Sequence, residues 1–243
     1  MATTTSVRIP ERYNASLLLD GNVLAGRGEK TAVTCGDVSL SYADVYGRAC
    51  AYGGALRQFG VDIGERVLLV LDDRPDFPPL FLGTIRAGAV PVPLNPLYGA
   101  AEYPYFVGDS RARLVVVDPA SADKVVGALN GRFDRSRILV VGGDAAGLTR
   151  LEEVAAGQSA DVAPADTRRD DMAFWLYSSG STGRPKGIVH LQRDLLCTCE
   201  TYARHVLRID EHDATFSTTK LFHAYGLGNN LSFPTGPAHP RCC

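Results

Sequence analysis

The chain has 243 residues, of which 45% are hydrophobic and 21% are charged, and its formal net charge is −2 at pH 7. A chain of this length and composition can bury a sizeable core, which excludes a wholly disordered protein. The small net charge excludes a general attraction to nucleic acid or to an anionic membrane, so neither is expected as a partner.

The N-terminal region and the cysteines give no sign of export or of metal binding. The apolar run Leu17–Leu19 is too short for a signal peptide, and no later stretch approaches the length of a membrane span. Six cysteines in a chain of this size do not form a small secreted disulfide framework. Cys197 and Cys199 lack a second pair of ligands, so no metal site is predicted. We expect a cytoplasmic protein.

The chain opens with a predicted β-hairpin followed by a helix. Gly36 and Asp37 separate two β-rich runs, Thr31–Cys35 and Val38–Tyr42. A helix is predicted from about Ala43 because apolar residues recur at the spacing of one buried face, at Val45, Ala49, Tyr52, Leu56 and Phe59. Gly60 stands where the cap of this helix is expected.

Short apolar strands then alternate with helical stretches. Val67–Leu71 is continuously apolar, which is typical of a strand covered on both faces. The predicted strands after it are Ala89–Leu94, Leu114–Val117 and Ile138–Val141, and the predicted helices are Phe77–Ala87, Glu102–Asp109 and Ser121–Leu129. This alternation predicts an α/β fold with a largely parallel sheet flanked by helices.

The second half of the chain begins with a polar stretch, 142–171, which we interpret as a surface connection with one short helix at Leu151–Ala156. A strand, Met172–Tyr177, follows it. Further on, a helix is predicted from about Arg193 to Leu207, with a buried stripe formed by Leu195, Cys199, Tyr202 and Val206. We expect His190 to pack against or cap this helix, and His212 to be exposed.

The most informative segment is a glycine-rich loop directly after the strand Met172–Tyr177. It reads Tyr177-Ser-Ser-Gly-Ser-Thr-Gly-Arg-Pro-Lys-Gly187. Glycines allow backbone N–H groups to approach a ligand closely, hydroxyl groups can hold phosphate oxygens, and a lysine supplies positive charge. The residues predicted to bind a polyphosphate are Ser178, Ser179, Gly180, Ser181, Thr182, Gly183 and Lys186. The alternative is a flexible connector with an incidental lysine.

This loop is not a Walker A motif, because Pro185 stands where that motif needs its second glycine. Instead it resembles the phosphate-binding signature of the acyl-adenylating superfamily, which includes acyl- and aryl-CoA synthetases, peptide-synthetase adenylation domains and beetle luciferases. The segment Phe81–Asn95 is similar to these synthetases as well. The resemblance runs from about Pro10 to Phe233 and implies the incomplete N-terminal domain of an AMP-forming synthetase.

The resemblance also implies a two-step reaction. A carboxylate attacks the α-phosphorus of ATP to give an acyl-adenylate and pyrophosphate, and the thiolate of coenzyme A then expels AMP. The implied cofactors and co-substrates are ATP, Mg²⁺ and coenzyme A, and the implied partner is a small carboxylic acid. In this scheme the loop residues with Lys186 would hold the β- and γ-phosphates.

Two further segments resemble the benzoate-CoA ligase branch of the superfamily. These are Pro10–Ala15 and the segment Lys220-Leu-Phe-His-Ala-Tyr-Gly-Leu-Gly-Asn229. The resemblance implies that Ala224, Tyr225 and Gly226 bind an aromatic acid. His223 replaces the Phe usual in this branch, and the wider family implies a catalytic, gating role for it. The alternative is an inert loop histidine.

The resemblance predicts a domain division and leaves three functional readings. Residues 1–234 would be a partial adenylating domain and 235–243 a non-family, frameshifted tail. A C-terminal domain and its catalytic lysine would be absent, as would the family's Mg²⁺-binding Glu and ribose-binding Asp. The first reading is ATP-dependent activation of a benzoate-like acid. The second is a non-catalytic nucleotide-binding remnant. The third is a relative of the fatty acyl-CoA synthetases or adenylation domains.

Overall fold

The structure is a computed structural model that describes residues 7–178 and 183–236. Its strands are β1 (Thr31–Cys35), β2 (Val38–Ser41), β3 (Arg66–Val70), β4 (Val90–Leu94), β5 (Leu114–Val117), β6 (Ile138–Val140), β7 (Thr149–Arg150), β8 (Met172–Ser178) and β9 (Lys186–Leu191). Its α-helices are α1 (Leu17–Asn22), α2 (Tyr42–Gln58), α3 (Phe77–Arg86), α4 (Tyr103–Ser110), α5 (Pro119–Leu129), α6 (Leu151–Ala155), α7 (Gln192–Thr198), α8 (Ala224–Leu227) and α9 (Phe233–Thr235).

A five-stranded parallel sheet in the order β4-β3-β5-β6-β7 forms the centre of the fold. Alternate residues of β3 face opposite sides, so Val67 and Leu69 join one apolar cluster while Leu68 and Val70 join another. Helices α2 and α3 contribute to the first cluster, and α4 and α5 contribute to the second. The predicted α/β fold with a parallel sheet flanked by helices is therefore confirmed.

The N-terminal hairpin and helix agree with the prediction. Strands β1 and β2 are antiparallel, and Ser41 and Asp44 form a capping box at the start of α2. Gly60 follows the end of this helix with φ of +70°, a left-handed conformation that favours glycine.

Strand β8 does not extend the parallel sheet through a helical crossover. It turns back into β9, and the two strands form an antiparallel hairpin that lies beside the sheet. Phe174 in β8 meets Phe81 of α3 edge to face, with ring centroids 5.4 Å apart. The sequence predicted β8 but not β9. It also did not predict β7, because a two-residue strand leaves no periodic signal.

The predicted helix 193–207 forms, but its buried stripe is wrong in the second half. Helix α7 continues as a π-helical segment, Cys199–Leu207, in which hydrogen bonds run to the fifth residue back. The buried position after Cys199 is therefore Ala203, whereas Tyr202 and Val206 are 47% and 63% exposed. Within the described ranges, none of the helices combines the length and apolar character needed to cross a membrane.

Candidate functional site

The hairpin β8–β9 brings the two described ends of the glycine-rich loop together. Ser178 and Lys186 are direct partners in its register, and both are exposed. A hydroxyl group and a lysine therefore stand opposite each other at the open end of the hairpin. The predicted phosphate-binding residues Ser179, Gly180, Ser181 and Thr182 lie outside the described residues.

Gly183 and Lys186 leave room for a ligand at this end. Gly183 has φ of +153°, and a Cβ added to it would meet no atom of the other described residues within 4 Å. Among the residues that the structure describes, Lys186 takes part in no ion pair shorter than 4 Å. A compact positive charge that has no acidic partner among the described residues suits an anionic ligand such as a phosphate.

Both flanks of the loop are bonded to α4, a contact that the sequence analysis missed. The hydroxyl group of Tyr177 donates to Asp109 Oδ2 at 2.6 Å, and that of Tyr105 donates to the Pro185 carbonyl at 2.6 Å. Burial, and then the bond to Asp109, raises the pKa of Tyr177, so this phenol stays protonated and able to donate. The signal available was the i, i+4 spacing of Tyr105 and Asp109 on a predicted helix.

The predicted acid-binding residues sit in a short helical segment. His223 stands at the N-terminal cap of α8, its carbonyl accepts from the Leu227 N–H at 2.8 Å, and its ring contacts that of Phe222. His223, Ala224 and Tyr225 are exposed, Tyr225 by 69%.

Gly226 is buried, and the space around it accepts no side chain. A Cβ at this position would lie 2.2 Å from the carbonyl oxygens of both Thr219 and Lys220, so any larger residue would force the backbone apart. The predicted substrate-binding glycine therefore also shapes the turn that carries Ala224 and Tyr225.

This turn is tied to the carboxyl end of β3. Lys220 Nζ lies 2.8 Å from Asp72 Oδ1, and the Leu221 N–H donates to Asp73 Oδ1 at 2.9 Å. The hydrogen bond from Lys220 lowers the pKa of Asp72, and the same bond raises the pKa of Lys220. In open parallel α/β sheets, ligands bind outside the carboxyl ends of the strands, so the tether places residues 221–226 near that edge.

A cavity of about 730 Å³ adjoins this tether and lies between strand β1, Asp73 and Arg74, and the segment 209–217. Its lining includes Leu221 but neither Ala224, Tyr225 nor Gly226, and it also excludes Ser178 and Lys186. The cavity therefore does not bring the predicted phosphate and acid residues together.

His190 lies near α7 as predicted, but its ring packs on strand β8 and does not cap the helix. Its ring stacks on Phe174 with centroids 4.4 Å apart, and its Nδ1 lies 3.7 Å from Asp194 in α7. Burial lowers the pKa of His190, which favours the neutral imidazole. In the described part of the chain, no cluster of three or more His, Cys, Asp or Glu side chains could hold a metal ion.

A comparison with known families identifies the family of the chain. The family model described as "AMP-binding enzyme" matches residues 22–236, which includes the hairpin, the loop and the segment at Lys220. The chain belongs to the AMP-binding enzyme family.

Individual members of this family are similar over nearly the whole chain. The benzoate–CoA ligase of Thauera aromatica is 44% identical over 96% of this chain, and the 4-hydroxybenzoate–CoA/benzoate–CoA ligase of Rhodopseudomonas palustris is 40% identical over 92%. The match covers 44% and 42% of these relatives, so this chain spans less than half of their length.

Solved structures of the family agree in fold. An anthranilate CoA ligase, AuaEII, in complex with anthranoyl-AMP superposes with a TM-score of 0.89 at 33% identity. A benzoate CoA ligase from Burkholderia xenovorans LB400 superposes with a TM-score of 0.82 at 37% identity. These matches cover 95% and 93% of this chain and 44% of each neighbour.

Proposed function

We propose that this chain supplies the phosphate- and acid-binding part of an ATP-dependent ligase. The enzyme would convert a benzoate-like acid, through its acyl-adenylate, to the coenzyme A thioester. The observation that carries the proposal is the 44% identity to a benzoate–CoA ligase across 96% of the chain. The neighbour that binds anthranoyl-AMP supports the adenylate as the intermediate and an aromatic acid as the substrate. ATP and coenzyme A as co-substrates suit a cytoplasmic location.

In this proposal the β8–β9 hairpin binds the triphosphate. Lys186 would offset the negative charge of the β- and γ-phosphates, which grows on pyrophosphate as it leaves. Ser178 lies opposite Lys186 and would donate its hydroxyl to the same phosphates. Mg²⁺ would enter with ATP as the companion ion of its phosphates.

The turn at 220–227 would bind the acid. Tyr225 offers a largely exposed aromatic ring, against which a flat aryl acid can pack, and Ala224 beside it leaves room for that ring. His223, at the start of α8, would act at the entrance to this pocket, where it meets the acid and the incoming thiol.

A second candidate function is nucleotide binding without turnover. It is favoured because Lys186 suits an anion by itself, whereas the cavity formed by the described residues is lined by neither Lys186 nor Tyr225.

One experiment separates these functions: acid-dependent exchange of radiolabelled pyrophosphate into ATP by the purified chain, with Mg²⁺ and a panel of acids. We expect exchange with benzoate above that with octanoate, and a loss of about 10²-fold in Lys186→Ala. Lys30→Ala is the matched control, because Lys30 is an exposed lysine directly before β1, and this variant should exchange as the wild type does.

The other outcomes are equally definite. ATP binding that Lys186→Ala abolishes, without exchange for any acid, would establish the second function. Exchange that is faster with octanoate than with benzoate would contradict the aryl preference. Absence of both binding and exchange would overturn the phosphate-binding role of the hairpin.

A further inference from the structure

We propose that helix α4 positions both flanks of the glycine-rich loop, and that Tyr105 is a positioning residue for polyphosphate binding. The inference rests on the proposed function, since it assigns a role toward the same phosphates. It comes from two hydrogen bonds between α4 and the described residues on either side of the loop.

The two bonds reach the chain immediately next to the residues that would touch phosphate. Tyr177, bonded to Asp109, precedes Ser178, and Pro185, bonded to Tyr105, precedes Lys186. Because Ser178 and Lys186 are direct partners in the hairpin, the two bonds fix where the hydroxyl and the ammonium group stand relative to each other.

Both bonds arise from one face of one helix. Tyr105 and Asp109 are four residues apart in α4, so their side chains lie on the same face. Both flanks are therefore bonded to a single rigid element, and a movement of one flank relative to the other would break at least one of the two hydrogen bonds. Each bond is 2.6 Å long, which is the distance of a well-made O–H···O contact.

A buried aromatic residue fixes that face of α4. Phe106 is fully buried, and its ring meets the Tyr177 ring edge to face with centroids 4.7 Å apart. The Phe106 ring also contacts those of Tyr98 and Tyr105, at 4.8 and 5.6 Å. Aromatic contacts of this kind hold the phenol rings in place, so the hydroxyl groups are aimed before a ligand arrives.

Tyr105 has a second contact with the loop. The guanidinium of Arg184 lies over the Tyr105 ring, 5.2 Å from its centroid. One side chain thus bonds the backbone of Pro185 through its hydroxyl and holds the neighbouring cation through its ring face. Replacement of Tyr105 by Phe removes the hydrogen bond and keeps the ring, so it isolates the first contact.

The test compares three Tyr→Phe variants that each delete one hydroxyl group. Tyr105→Phe and Tyr177→Phe remove the bonds to the flanks. Tyr103→Phe is the matched control, because Tyr103 lies in the same helix and donates instead to the Pro96 carbonyl at 3.3 Å. The probe is inorganic tripolyphosphate with Mg²⁺, and its affinity for the full chain is measured by titration calorimetry, with the melting temperature as a second readout.

We expect Tyr105→Phe and Tyr177→Phe each to weaken tripolyphosphate binding about fivefold, the effect of one lost hydrogen bond, and the double variant to weaken it further. Tyr103→Phe should bind as the wild type does. A purely structural role for Tyr105 would lower the melting temperature and leave the affinity of the folded protein unchanged, which would overturn the proposal.

The test also distinguishes failure of this inference from failure of the proposed function. If the wild type binds tripolyphosphate and Lys186→Ala abolishes binding while Tyr105→Phe has no more effect than Tyr103→Phe, the positioning role is wrong and the phosphate site stands. If the wild type does not bind tripolyphosphate, the phosphate site is wrong and the positioning role with it.

Discussion

Lys220 shows how one side chain fixes the candidate acid-binding turn. Its ammonium group lies 2.8 Å from Asp72 and 3.9 Å from Asp73. These two residues follow Leu71, which is the first residue after the end of β3. Asp73 also accepts the backbone N–H of Leu221. A neutral residue in place of Lys220 would remove the ion pair and leave the backbone bond from Leu221 to Asp73 in place.

The Lys220–Asp72 pair predicts a pH dependence of stability. The folded-state pKa of Asp72 is lowered, so its contribution is present above the unfolded value of about 4 and is lost as the pH falls through the folded value. The pKa of Lys220 is raised, so its contribution is present below about 10.4 and is lost as the pH rises through the folded value. Asp73, Arg74 and Cys35 also act on this pair.

We therefore expect Lys220→Met to lower the free energy of unfolding at pH 7 by a few tenths to about 1 kcal/mol, because both side chains are about half exposed. The loss should shrink below pH 4. Urea unfolding of the wild type and the variant at several pH values measures it. In an Asp72→Asn background the effect of Lys220→Met should be smaller, and the pH dependence that is left should come from Asp73, 3.9 Å from Lys220. An unchanged loss in that background would show that Asp72 is not the partner.

The residues of the site divide into those that the sequence predicted and those that it could not predict. Ser178, Gly183 and Lys186 were predicted because residue type and spacing within one loop indicate their chemistry. Tyr105 lies 80 residues from Pro185, and Asp73 lies 148 residues from Leu221. Such contacts depend on how distant elements pack. The i, i+4 spacing of Tyr105 and Asp109 places both on one face of a helix but does not say which segment that face contacts.

The contact between α2 and α3 depends on glycine. A Cβ on Gly83 would lie 2.5 Å from the Ala49 carbonyl oxygen, and one on Gly53 would lie 2.8 Å from the Gly83 carbonyl oxygen. Backbone meets backbone at these points, so the helices approach more closely than side chains would allow. The two helices in turn form the layer on one face of the parallel sheet.

Two glycine substitutions should have opposite effects on stability. Gly83→Ala should lower the free energy of unfolding by about 1–3 kcal/mol, because the new methyl group would overlap a carbonyl oxygen of the facing helix. Gly47→Ala is the matched control in α2, where a Cβ would meet nothing within 4 Å. It should raise the free energy by about 0.5–1 kcal/mol through helix propensity. Urea unfolding compares both; a neutral or stabilising Gly83→Ala would mean that the helices can separate without cost.

The elements differ in how far the sequence could predict them. Periodicity and end signals were sufficient for α2, α3, β3 and β5, whose bounds fall within one residue of the predicted ones. The π-helical segment was beyond reach, because an α-helical period was assumed for the stripe that contains Tyr202. The close approach of the two helices at Gly83 could not be predicted either. A glycine in a helical pattern indicates by itself only a lower helix propensity, not a contact with another helix.

At the scale of the whole molecule, the β8–β9 hairpin joins both cores. Phe174 belongs to the apolar cluster on the α2–α3 side of the sheet, and the next residue, Trp175, packs against the cluster on the α4–α5 side. Arg66 of β3 lies over the Trp175 ring, 5.7 Å from its centroid. The hairpin is antiparallel and separate from the sheet in its hydrogen bonds, yet its side chains contribute to both layers that cover the sheet.

This position predicts that the hairpin and the parallel sheet unfold together. Trp175 is the single tryptophan of the chain, so its fluorescence reports on the hairpin, while far-UV circular dichroism reports on all elements. We expect the two urea transitions to coincide, as required for one cooperative unit.

Phe174→Ala should move both midpoints down together, at a cost of about 3–5 kcal/mol in the free energy of unfolding, because it removes a ring that is only 3% exposed. Phe216→Ala, at a ring that is 83% exposed, is the control. It should leave both midpoints in place and change the free energy of unfolding by no more than about 0.5 kcal/mol. A fluorescence transition at lower urea than the dichroism transition would instead mean that the hairpin opens independently. The Ser178 and Lys186 pair would then lose its fixed geometry before the fold is lost, and phosphate binding would fail at urea concentrations that leave the sheet intact.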